Sequence, residues 1–239
     1  LLLAPLALAA CGDGAKTGGN STTPATPVAG ATAPAGQSWT EVVTKVENGY
    51  RMGNPNAPIK LVEYGARSCP VCGAFSQAAA RPLEEKYVAS GKVSFEFHDF
   101  LVHGAPDLPG ALLGVCGGDG AFFPLLDAMY ANQSTYLDGI QKLSPADQAK
   151  LKTATPAEAV TILAQAGGLI DLVKQRGIPE AKARQCLGDQ KLIEALAKRT
   201  DALGADGTVT ATPTFYINGE KVEGSDWATV EAALKAAGA

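Results

Sequence analysis

The sequence predicts an α/β fold in which a helical block separates two groups of strands. An apolar, strand-like run over 59–64 passes at once into a helix-compatible stretch that extends to about residue 90. Apolar and polar residues then alternate over 93–98, a period of two that is typical of a strand. From about 105 to 205 the signals are helical, and strand-like runs return after that block. The predicted order is therefore β-β-α-β, a helical block and β-β-α.

The first part of this fold is predicted to begin near Trp39. Asn48 and Gly49 form a dipeptide that favours a tight β-hairpin turn, and strand-like residues flank it on both sides. A turn-rich cluster then separates the hairpin from the apolar strand. The predicted elements are hairpin strands over 42–46 and 50–52, a strand over 59–64, a helix over 70–90 and a strand over 93–97.

The helical block carries two sequence signatures of helix N-termini. Ser144 and Thr155 each precede a proline and, three positions on, an acidic residue, which is the pattern of a capping box with proline at the first helical position. Gly167, Gly168 and Gly204 are predicted helix ends. An apolar stripe is predicted to pack in the core rather than bind a cofactor, and it comprises Phe122, Phe123, Leu126, Met129 and Tyr130.

The chain is predicted to return to strands after the helical block. Asn218 and Gly219 favour a second hairpin turn, and strand-like residues flank them over 214–217 and 221–223. A last helix is predicted over about 226–237, with Ser225 as its N-cap.

The first 38 residues differ in composition from the rest of the chain. Residues 1–11 are apolar up to Ala9 and Ala10 and end in Cys11, which resembles the end of a bacterial secretory signal with a lipobox. Cys11 is then expected to carry a diacylglycerol after export; the alternative is an ordinary hydrophobic N-terminus with an incidental cysteine. Residues 12–38 are rich in Gly, Ala, Thr and Pro and have few large apolar side chains, so a disordered tether is predicted.

Composition argues against several classes of protein. The chain has 239 residues, a formal net charge of −4, 5 cysteines and 2 histidines. It has no basic stripe that would indicate nucleic-acid binding, few histidines for a metal centre, and no run of 18 apolar residues that would predict a spanning helix. With Cys11 set aside, four cysteines remain, and an even number is what paired cysteines would leave in an exported chain.

The most informative motif is Cys69-Pro70-Val71-Cys72, which lies where the apolar strand passes into the predicted helix. At a helix N-terminus, free backbone N–H groups and the helix dipole favour a thiolate. We therefore predict Cys69 as a partly exposed nucleophile and Cys72, one turn on and more buried, as the thiol that resolves a mixed disulfide. The alternatives are a static structural disulfide or half of a zinc site, although no second Cys-x-x-Cys completes such a site.

Two further features are candidates for the same chemistry. Glu63 interrupts the apolar strand, where burying a carboxylate is costly unless it acts or pairs, so we predict that it exchanges a proton with Cys72. The alternative is a solvated glutamate at a sheet edge. Pro213 precedes a predicted strand, and a cis bond to Thr212 would bring the Thr212 backbone beside Cys69, where it could pair with an extended substrate. The alternative is a trans proline that opens the strand.

Together these residues resemble the DsbA-like branch of the thioredoxin superfamily. Cys69-Pro70-Val71-Cys72 is similar to the active-site motif of that family, Glu63 to its buried acid, and Thr212-Pro213 to its cis-proline loop. The resemblance covers about residues 39–239. It implies a thioredoxin-like domain formed by 39–104 and 206–239, with a helical domain inserted over 105–205.

The resemblance also carries one departure and one further pair of cysteines. The best-known oxidases of the family have a histidine where this chain has Val71, and that histidine helps to stabilise the reactive thiolate. Similar members carry a second, non-catalytic disulfide in the helical insertion, which implies a bridge between Cys116 and Cys186. The alternative is two separate buried thiols.

Four other residues near these motifs are given lesser roles. His98 is expected on the polar face of its strand and His103 in a loop, both solvated rather than catalytic. Arg67 and Ser68 flank the cysteine pair and are expected to shape access to it.

The resemblance implies a thiol–disulfide oxidoreductase that acts on cysteines of exported proteins and uses no dissociable cofactor. Its expected partners are those substrates, an envelope redox protein and a membrane, through the lipid on Cys11, with the domain facing the periplasm; no nucleic acid is expected. The alternatives are a disulfide reductase or isomerase of the same fold, or a module that binds Cu(I) through the thiol pair.

Overall fold

A six-stranded mixed sheet lies at the centre of the structure, a computed structural model that describes residues 26–239. The strands are β1 (Val43–Val46), β2 (Gly49–Met52), β3 (Ile59–Gly65), β4 (Val93–Asp99), β5 (Thr214–Ile217) and β6 (Glu220–Lys221). Their order across the sheet is β1-β2-β4-β3-β5-β6. β3 and β4 run parallel, and the other neighbouring pairs are antiparallel.

Helices pack against this sheet, and further helices form the chain segment between β4 and β5. They are α1 (Pro70–Pro82), α2 (Leu108–Cys116), α3 (Phe122–Ala131), α4 (Gln133–Gln141), α5 (Pro145–Leu151), α6 (Pro156–Ala166), α7 (Leu169–Gln175), α8 (Glu180–Leu187), α9 (Gln190–Ala205) and α10 (Trp227–Ala236). Helices α2 to α9 lie between β4 and β5, which belong to the same sheet. The predicted α/β fold, with a helical block inserted between its halves, is confirmed.

Strand β3 has neighbours on both sides, and this position explains its apolar sequence. β3 pairs with β4 on one side and with β5 on the other, so that Glu63 lies opposite Phe97 and Phe215. Alternate residues of a strand share a face, and Ile59, Leu61 and Glu63 are all buried. Glu63 therefore lies on a core-facing side of the strand.

The buried side chains form two apolar clusters. One cluster joins the sheet to α1, α3 and α10 and includes Phe75, Phe97 and Phe215. The other lies within the helical insertion and includes Leu112 and Leu187. The apolar stripe on α3 is buried, as predicted, and its residues are divided between the two clusters. Helix α3 thus packs the insertion against the sheet.

The helix that follows β3 changes geometry at Pro82. Proline lacks the N–H that an α-helix needs at an interior position, and its ring crowds the carbonyl four residues earlier. The segment Leu83–Val88 continues as a π-helix. The Ala89 N–H bonds to the Glu84 carbonyl oxygen, five residues back, at 2.9 Å. The helix predicted as continuous over 70–90 is therefore two elements.

The predicted tether is corrected over its last part. Val28 donates a backbone hydrogen bond to the Gly238 carbonyl, and Ala31 donates one to the Ser90 carbonyl, at 2.9 and 3.1 Å. The Trp39 indole N–H also donates to the Ala31 carbonyl, at 2.7 Å. These backbone bonds need no large apolar side chains, which is why composition did not predict them. Residues 12–25 of the tether, and Cys11, lie outside the described residues.

Most helix ends follow the predicted signals, with two corrections. Ser144 and Thr155 cap α5 and α6, and Thr155 forms a complete capping box. The N-cap of α10 is Asp226 rather than Ser225, because its carboxylate accepts from the Thr229 N–H. Gly204 lies inside α9 rather than beyond its end.

Within residues 26–239, no single helix combines the length and apolar composition needed to cross a bilayer. The pair α6 and α7, bent by 70° at its break, meets the test on length and composition alone.

Candidate active site

Cys69 is the N-cap residue of α1, and the first turn of that helix surrounds its sulfur. The Cys72 backbone N–H lies 3.4 Å from Cys69 Sγ, and Pro70 occupies the first helical position, where a missing N–H costs nothing. Cys69 and Cys72 are both free thiols. The strand-to-helix junction predicted from the sequence therefore places both sulfurs at one helix end.

The Cys69 thiol is strongly acidic in this position. Its pKa falls from the ordinary value to about 5, first because the Cys72 thiol donates a hydrogen bond to it. Burial opposes this shift, whereas the Thr212 side chain and the backbone N–H groups of Cys72 and Val71 add to it. The Thr212 hydroxyl has no hydrogen-bond partner within the described chain, so it is free to donate to the thiolate.

Cys69 is less accessible than the predicted, partly exposed nucleophile. Its exposed fraction is 4%, and that of Cys72 is 0%. The Cys69 sulfur lies 3.3 Å from the Thr212 carbonyl oxygen, so the loop before β5 covers it. Val71, between the two cysteines, is half exposed. Contact with Cys69 therefore requires approach along Val71 and Thr212.

Cys72 has the opposite acidity. Burial raises its pKa far above the usual range, and the neighbouring Cys69 and Glu63 raise it further. The two thiols are therefore distinct: Cys69 is a thiolate at neutral pH, and Cys72 keeps its proton. A buried thiol of this kind needs a base before it can attack.

Glu63 is buried close enough to the thiol pair for its charge to interact with both cysteines. Its exposed fraction is 3%, and its Oε1 has no hydrogen-bond partner within the described chain. Burial raises its pKa well above the usual value, and negative charge on Cys69, Asp99 and Asp127 acts in the same direction. The alternative of a solvated glutamate at a sheet edge is therefore wrong. A buried carboxyl group with a raised pKa holds a proton more strongly than an exposed one and can exchange it with a neighbouring thiol.

The Thr212–Pro213 peptide bond is cis. The Thr212 carbonyl contacts the Cys69 sulfur, as given above, and the Thr214 hydroxyl donates to the Ala211 carbonyl at 2.7 Å. The structure thus brings the proline loop, 143 positions after Cys69, to the cysteine pair and to Glu63, which precedes that pair closely in sequence.

Gln133, at the start of α4, is a contact to the site that sequence reasoning missed. Its Nε2 donates to the carbonyl oxygens of Arg67 and Cys69, at 3.0 and 2.9 Å. The side chain is buried and lies against Gly73, where a Cβ atom would be 2.6 Å from Gln133 Oε1. Nothing in the local sequence distinguishes this glutamine from a surface helix residue.

Arg67 is a buried link between the active-site loop and the insertion. Its guanidinium makes two hydrogen bonds to the Asp99 carboxylate, at 2.9 and 3.2 Å, and lies over the rings of Phe97 and Phe122. The same side chain packs against two glycines of α2, Gly110 and Gly114. Arg67 was predicted to shape access, but it is 2% exposed and instead fixes the loop before Cys69.

Ser68 and His103 form a second polar contact beside the site. The Ser68 hydroxyl donates to Asp107 Oδ1 and lies 2.7 Å from His103 Nδ1. The His103 side chain is about half exposed, at 47%. Because a hydroxyl has one proton, His103 Nδ1–H donates to Ser68 while Ser68 donates to Asp107. Ser68 itself is 2% exposed, so it holds the loop instead of lining an entrance.

His98 departs from its prediction as a solvated residue. It is 8% exposed, because Tyr64 packs edge-on against its ring and the Glu96 carboxylate lies 3.2 Å from its Nε2. The alternation of polar residues in β4 therefore does not mark a solvent-facing side of that strand.

Cys116 and Cys186 form a disulfide in the structure, with their Cα atoms 5.9 Å apart. The bridge connects the last residue of α2 to α8 and closes a sequence separation of 70 residues. No cluster of three or more His, Cys, Asp or Glu residues that could hold a metal ion occurs within 26–239.

Comparisons with known proteins relate this arrangement to named relatives. A "Putative protein-disulfide oxidoreductase" of Rickettsia bellii is 26% identical over 188 residues, 79% of this chain and 64% of that protein. The Rickettsia prowazekii protein with the same description is 25% identical over 185 residues, 77% of this chain and 60% of that protein. The chain thus spans less than two thirds of the length of these curated relatives.

Solved structures show the same fold. The crystal structure of protein-disulfide isomerase from Novosphingobium aromaticivorans superposes with a TM-score of 0.71 and 28% identity, over 77% of this chain and 94% of that one. The crystal structure of Wolbachia pipientis alpha-DsbA1 gives a TM-score of 0.60 and 20% identity, over 83% and 94%. The sequence model of the Thioredoxin family matches residues 45–236. Since that match covers most of the chain, the protein belongs to the thioredoxin family, and it shares its fold with the protein-disulfide isomerase and alpha-DsbA1 structures named above.

Proposed function

We propose that this protein is a thiol–disulfide oxidoreductase that acts on cysteines of exported proteins through Cys69 and Cys72. The observation that carries the proposal is the opposite acidity of two adjacent thiols, with a pKa of about 5 for Cys69 and a strongly raised pKa for Cys72. An acidic, helix-capping cysteine followed by a buried one is suited to attack and resolution. The names of the Rickettsia relatives, which describe protein-disulfide oxidoreductases, support the same activity.

The chemistry proceeds in two exchange steps. The Cys69 thiolate attacks one sulfur of a substrate disulfide, and the other substrate sulfur leaves as a thiolate that takes a proton from water. Cys72 then transfers its proton to Glu63 and attacks Cys69 Sγ, which forms the Cys69–Cys72 disulfide and releases the second substrate thiolate. In the oxidising direction the same steps run in reverse, and Glu63 returns the proton to Cys72 as its sulfur leaves.

The surroundings of Cys69 favour an extended polypeptide as the other reactant. Val71, between the two cysteines, is 50% exposed, although large apolar side chains are normally buried. It offers an apolar contact to residues that flank a substrate cysteine. The Thr212 backbone beside Cys69 supplies peptide hydrogen-bonding groups of the kind that pair with an added strand.

The acidity of Cys69 supports an oxidising or isomerising role. A stable thiolate favours the reduced form of the pair, which makes the disulfide form a stronger oxidant. A pKa of about 5 lies between roughly 7 for thioredoxin and about 3.5 for DsbA. We therefore expect a redox potential between about −270 and −120 mV, measured by equilibration with glutathione. The isomerase candidate is favoured by the similarity to the protein-disulfide isomerase of Novosphingobium aromaticivorans.

Two activity assays test the proposal. Wild-type protein is expected to catalyse insulin reduction or the refolding of reduced ribonuclease, whereas Cys69→Ala is expected to be inactive. The matched control is the double variant Cys116→Ala/Cys186→Ala. It removes two sulfurs that do not belong to the N-terminus of α1, so it should remain active. Full activity in Cys69→Ala would reject the proposed chemistry.

The Cu(I) alternative receives less support from the site. Cu(I) binds thiolates, and Cys72 is fully buried with a raised pKa that keeps its proton. Titration of the reduced protein with Cu(I) decides the matter: uptake of one equivalent that is lost in both Cys69→Ala and Cys72→Ala would favour the metal-handling role.

Export and lipid attachment are also part of this proposal. They rest on the sequence before Cys11, which lies outside the described residues, and on the Cys116–Cys186 disulfide, a bond that persists in oxidising compartments. The proposed site of action is the periplasmic side of the cell envelope, where a redox partner would restore the active form. Labelling of cells with an alkyne fatty acid should mark the wild type and leave Cys11→Ala unmarked.

A further inference from the structure

A small internal cavity lies beside Glu63, among β3, α1, the π-helical segment and α3. Its volume of about 20 Å³ is enough for one water molecule. Three carboxyl side chains line it, those of Glu63, Glu84 and Asp127, and most of the remaining lining is apolar. Glu63 is 3% exposed, and its Oε1 has no hydrogen-bond partner within the described chain. The cavity therefore holds an unsatisfied, buried acid that the exchange chemistry must protonate and deprotonate.

Glu84 and Asp127 also line a second, larger space on the outer side of the cavity. This groove has a volume of about 650 Å³ and is lined as well by Glu41 and Arg176, which are exposed. Glu84 and Asp127 are themselves partly exposed. The two carboxyl groups thus lie at the boundary between the cavity beside Glu63 and a groove in contact with solvent.

We propose that Glu84 and Asp127 relay protons between Glu63 and solvent. This inference rests on the proposed oxidoreductase function and adds two residues that act through Glu63, not on sulfur. When Cys72 attacks the mixed disulfide, its proton passes to Glu63. Glu63 then transfers a proton through the cavity to Glu84 or Asp127, which releases one to water in the groove. In the reverse direction each proton moves inward by the same steps, so no other reactant is required.

The acidity of Glu84 suits proton exchange near neutral pH, and the pKa of Asp127 is shifted in the same direction. Burial raises the pKa of Glu84 to about 6, and the negative charges of Asp127 and Glu85 add to the shift. Burial also raises the pKa of Asp127, while Arg67 lowers it. A relay group works best when its pKa lies close to the working pH. The charged or titratable groups that act on Glu63 and its neighbours are Arg67, Cys69, Cys72, Asp99, Asp127 and Tyr130.

The relay can be separated from the first exchange step with a chromogenic disulfide. Ellman's reagent releases one nitrothiobenzoate when Cys69 attacks it and a second when Cys72 resolves the mixed disulfide. In stopped-flow experiments, Glu84→Gln/Asp127→Asn is expected to keep the first rate and to slow the second by about tenfold at neutral pH. Each single variant is expected to slow it less, because the other carboxyl group remains. The matched control is Glu223→Gln, an exposed glutamate that lines neither the cavity nor the groove.

A second readout distinguishes a relay from a change in electrostatics alone. Removing the negative charge of Asp127 also lowers the pKa of Glu63, but that effect is not reversed by small acids. We expect high concentrations of formate or imidazole to restore the slow step in the double variant and to have little effect on wild type. A wild-type resolution rate in the double variant, or a slow rate that no buffer restores, would overturn the relay. A wild-type chain that releases no second nitrothiobenzoate would instead overturn the proposed function, and the relay with it.

Discussion

Gln133, in the helical insertion, donates a hydrogen bond of 2.9 Å from its Nε2 to the carbonyl oxygen of Cys69, 64 positions earlier in the chain. The same amide group bonds to the carbonyl of Arg67 at 3.0 Å. One side chain of the insertion therefore fixes both the reactive cysteine and the loop that precedes it.

Replacing Gln133 by methionine tests this contact. Gln133→Met keeps the size of the side chain but leaves two buried carbonyl groups without their donor, which should lower the free energy of unfolding by about 1–3 kcal/mol. We also expect a higher pKa for Cys69, because the first turn of α1 is less firmly held. Chemical denaturation and thiolate absorbance measure the two effects. Gln141→Met, an exposed change in the same helix, is the control, and equal losses in both variants would contradict the prediction.

The acidity of Cys69 predicts how its reactivity depends on pH. Alkylation of the reduced protein by iodoacetamide should rise with a midpoint near the pKa of about 5 and stay level at neutral pH. In Cys72→Ala the midpoint should move upward, because the hydrogen bond from the Cys72 thiol is the largest cause of the lowered pKa. A midpoint near the ordinary value of about 8.5 in wild type would reject the assignment of Cys69 as a thiolate.

The same shift predicts the stability of the reduced protein. Because the pKa of Cys69 is lower in the folded chain than in the unfolded chain, its ionisation stabilises the fold. This contribution is complete above the unfolded pKa of about 8.5 and is lost as the pH falls through about 5. Urea denaturation of reduced wild type and Cys69→Ala across this range should show a difference that grows with pH.

Glu63 is expected to act on stability in the opposite direction. Its folded pKa is raised, so its contribution is greatest below the unfolded pKa of about 4.3 and is lost as the pH rises through the folded pKa. Glu63→Leu should therefore be more stable than wild type at pH values near 8, by about 1–3 kcal/mol, with a smaller gain in acid. The resolution step should be slower in the same variant. A Glu63→Leu protein that loses stability at high pH would contradict the buried, uncompensated state of this acid.

The disulfide between Cys116 and Cys186 should act on stability without affecting exchange. A bridge that closes about 70 residues stabilises a chain by up to about 4 kcal/mol, mainly by restricting its unfolded state. Cys116→Ala/Cys186→Ala should unfold at lower urea concentration and retain the acidity of Cys69. Loss of that acidity would show that the bridge also fixes the active-site loop.

The sequence was sufficient to predict the elements that local pattern determines. Glu63 could be identified because a carboxylate within an apolar strand is costly, and Cys69 because an unusual motif falls at a strand-to-helix junction. Gln133 could not be identified from the sequence, because its role depends on the packing of α4 against the loop before Cys69 and not on its neighbours in sequence. His98 was misassigned for a related reason: alternation predicts two faces of a strand, but not which faces the fold will cover.

The packing of Arg67 against Gly110 and Gly114 has a consequence for protein engineering. A Cβ atom at Gly110 would lie 2.8 Å from the Arg67 side chain, and Gly114 is closer still. The segment before Cys69 and helix α2, the first helix of the insertion, therefore have to be exchanged together in any engineered variant. A chimera that takes one of them from a related protein should also take the other. Otherwise a side chain at position 110 or 114 would collide with Arg67, or the guanidinium would lose its hydrogen bonds to Asp99.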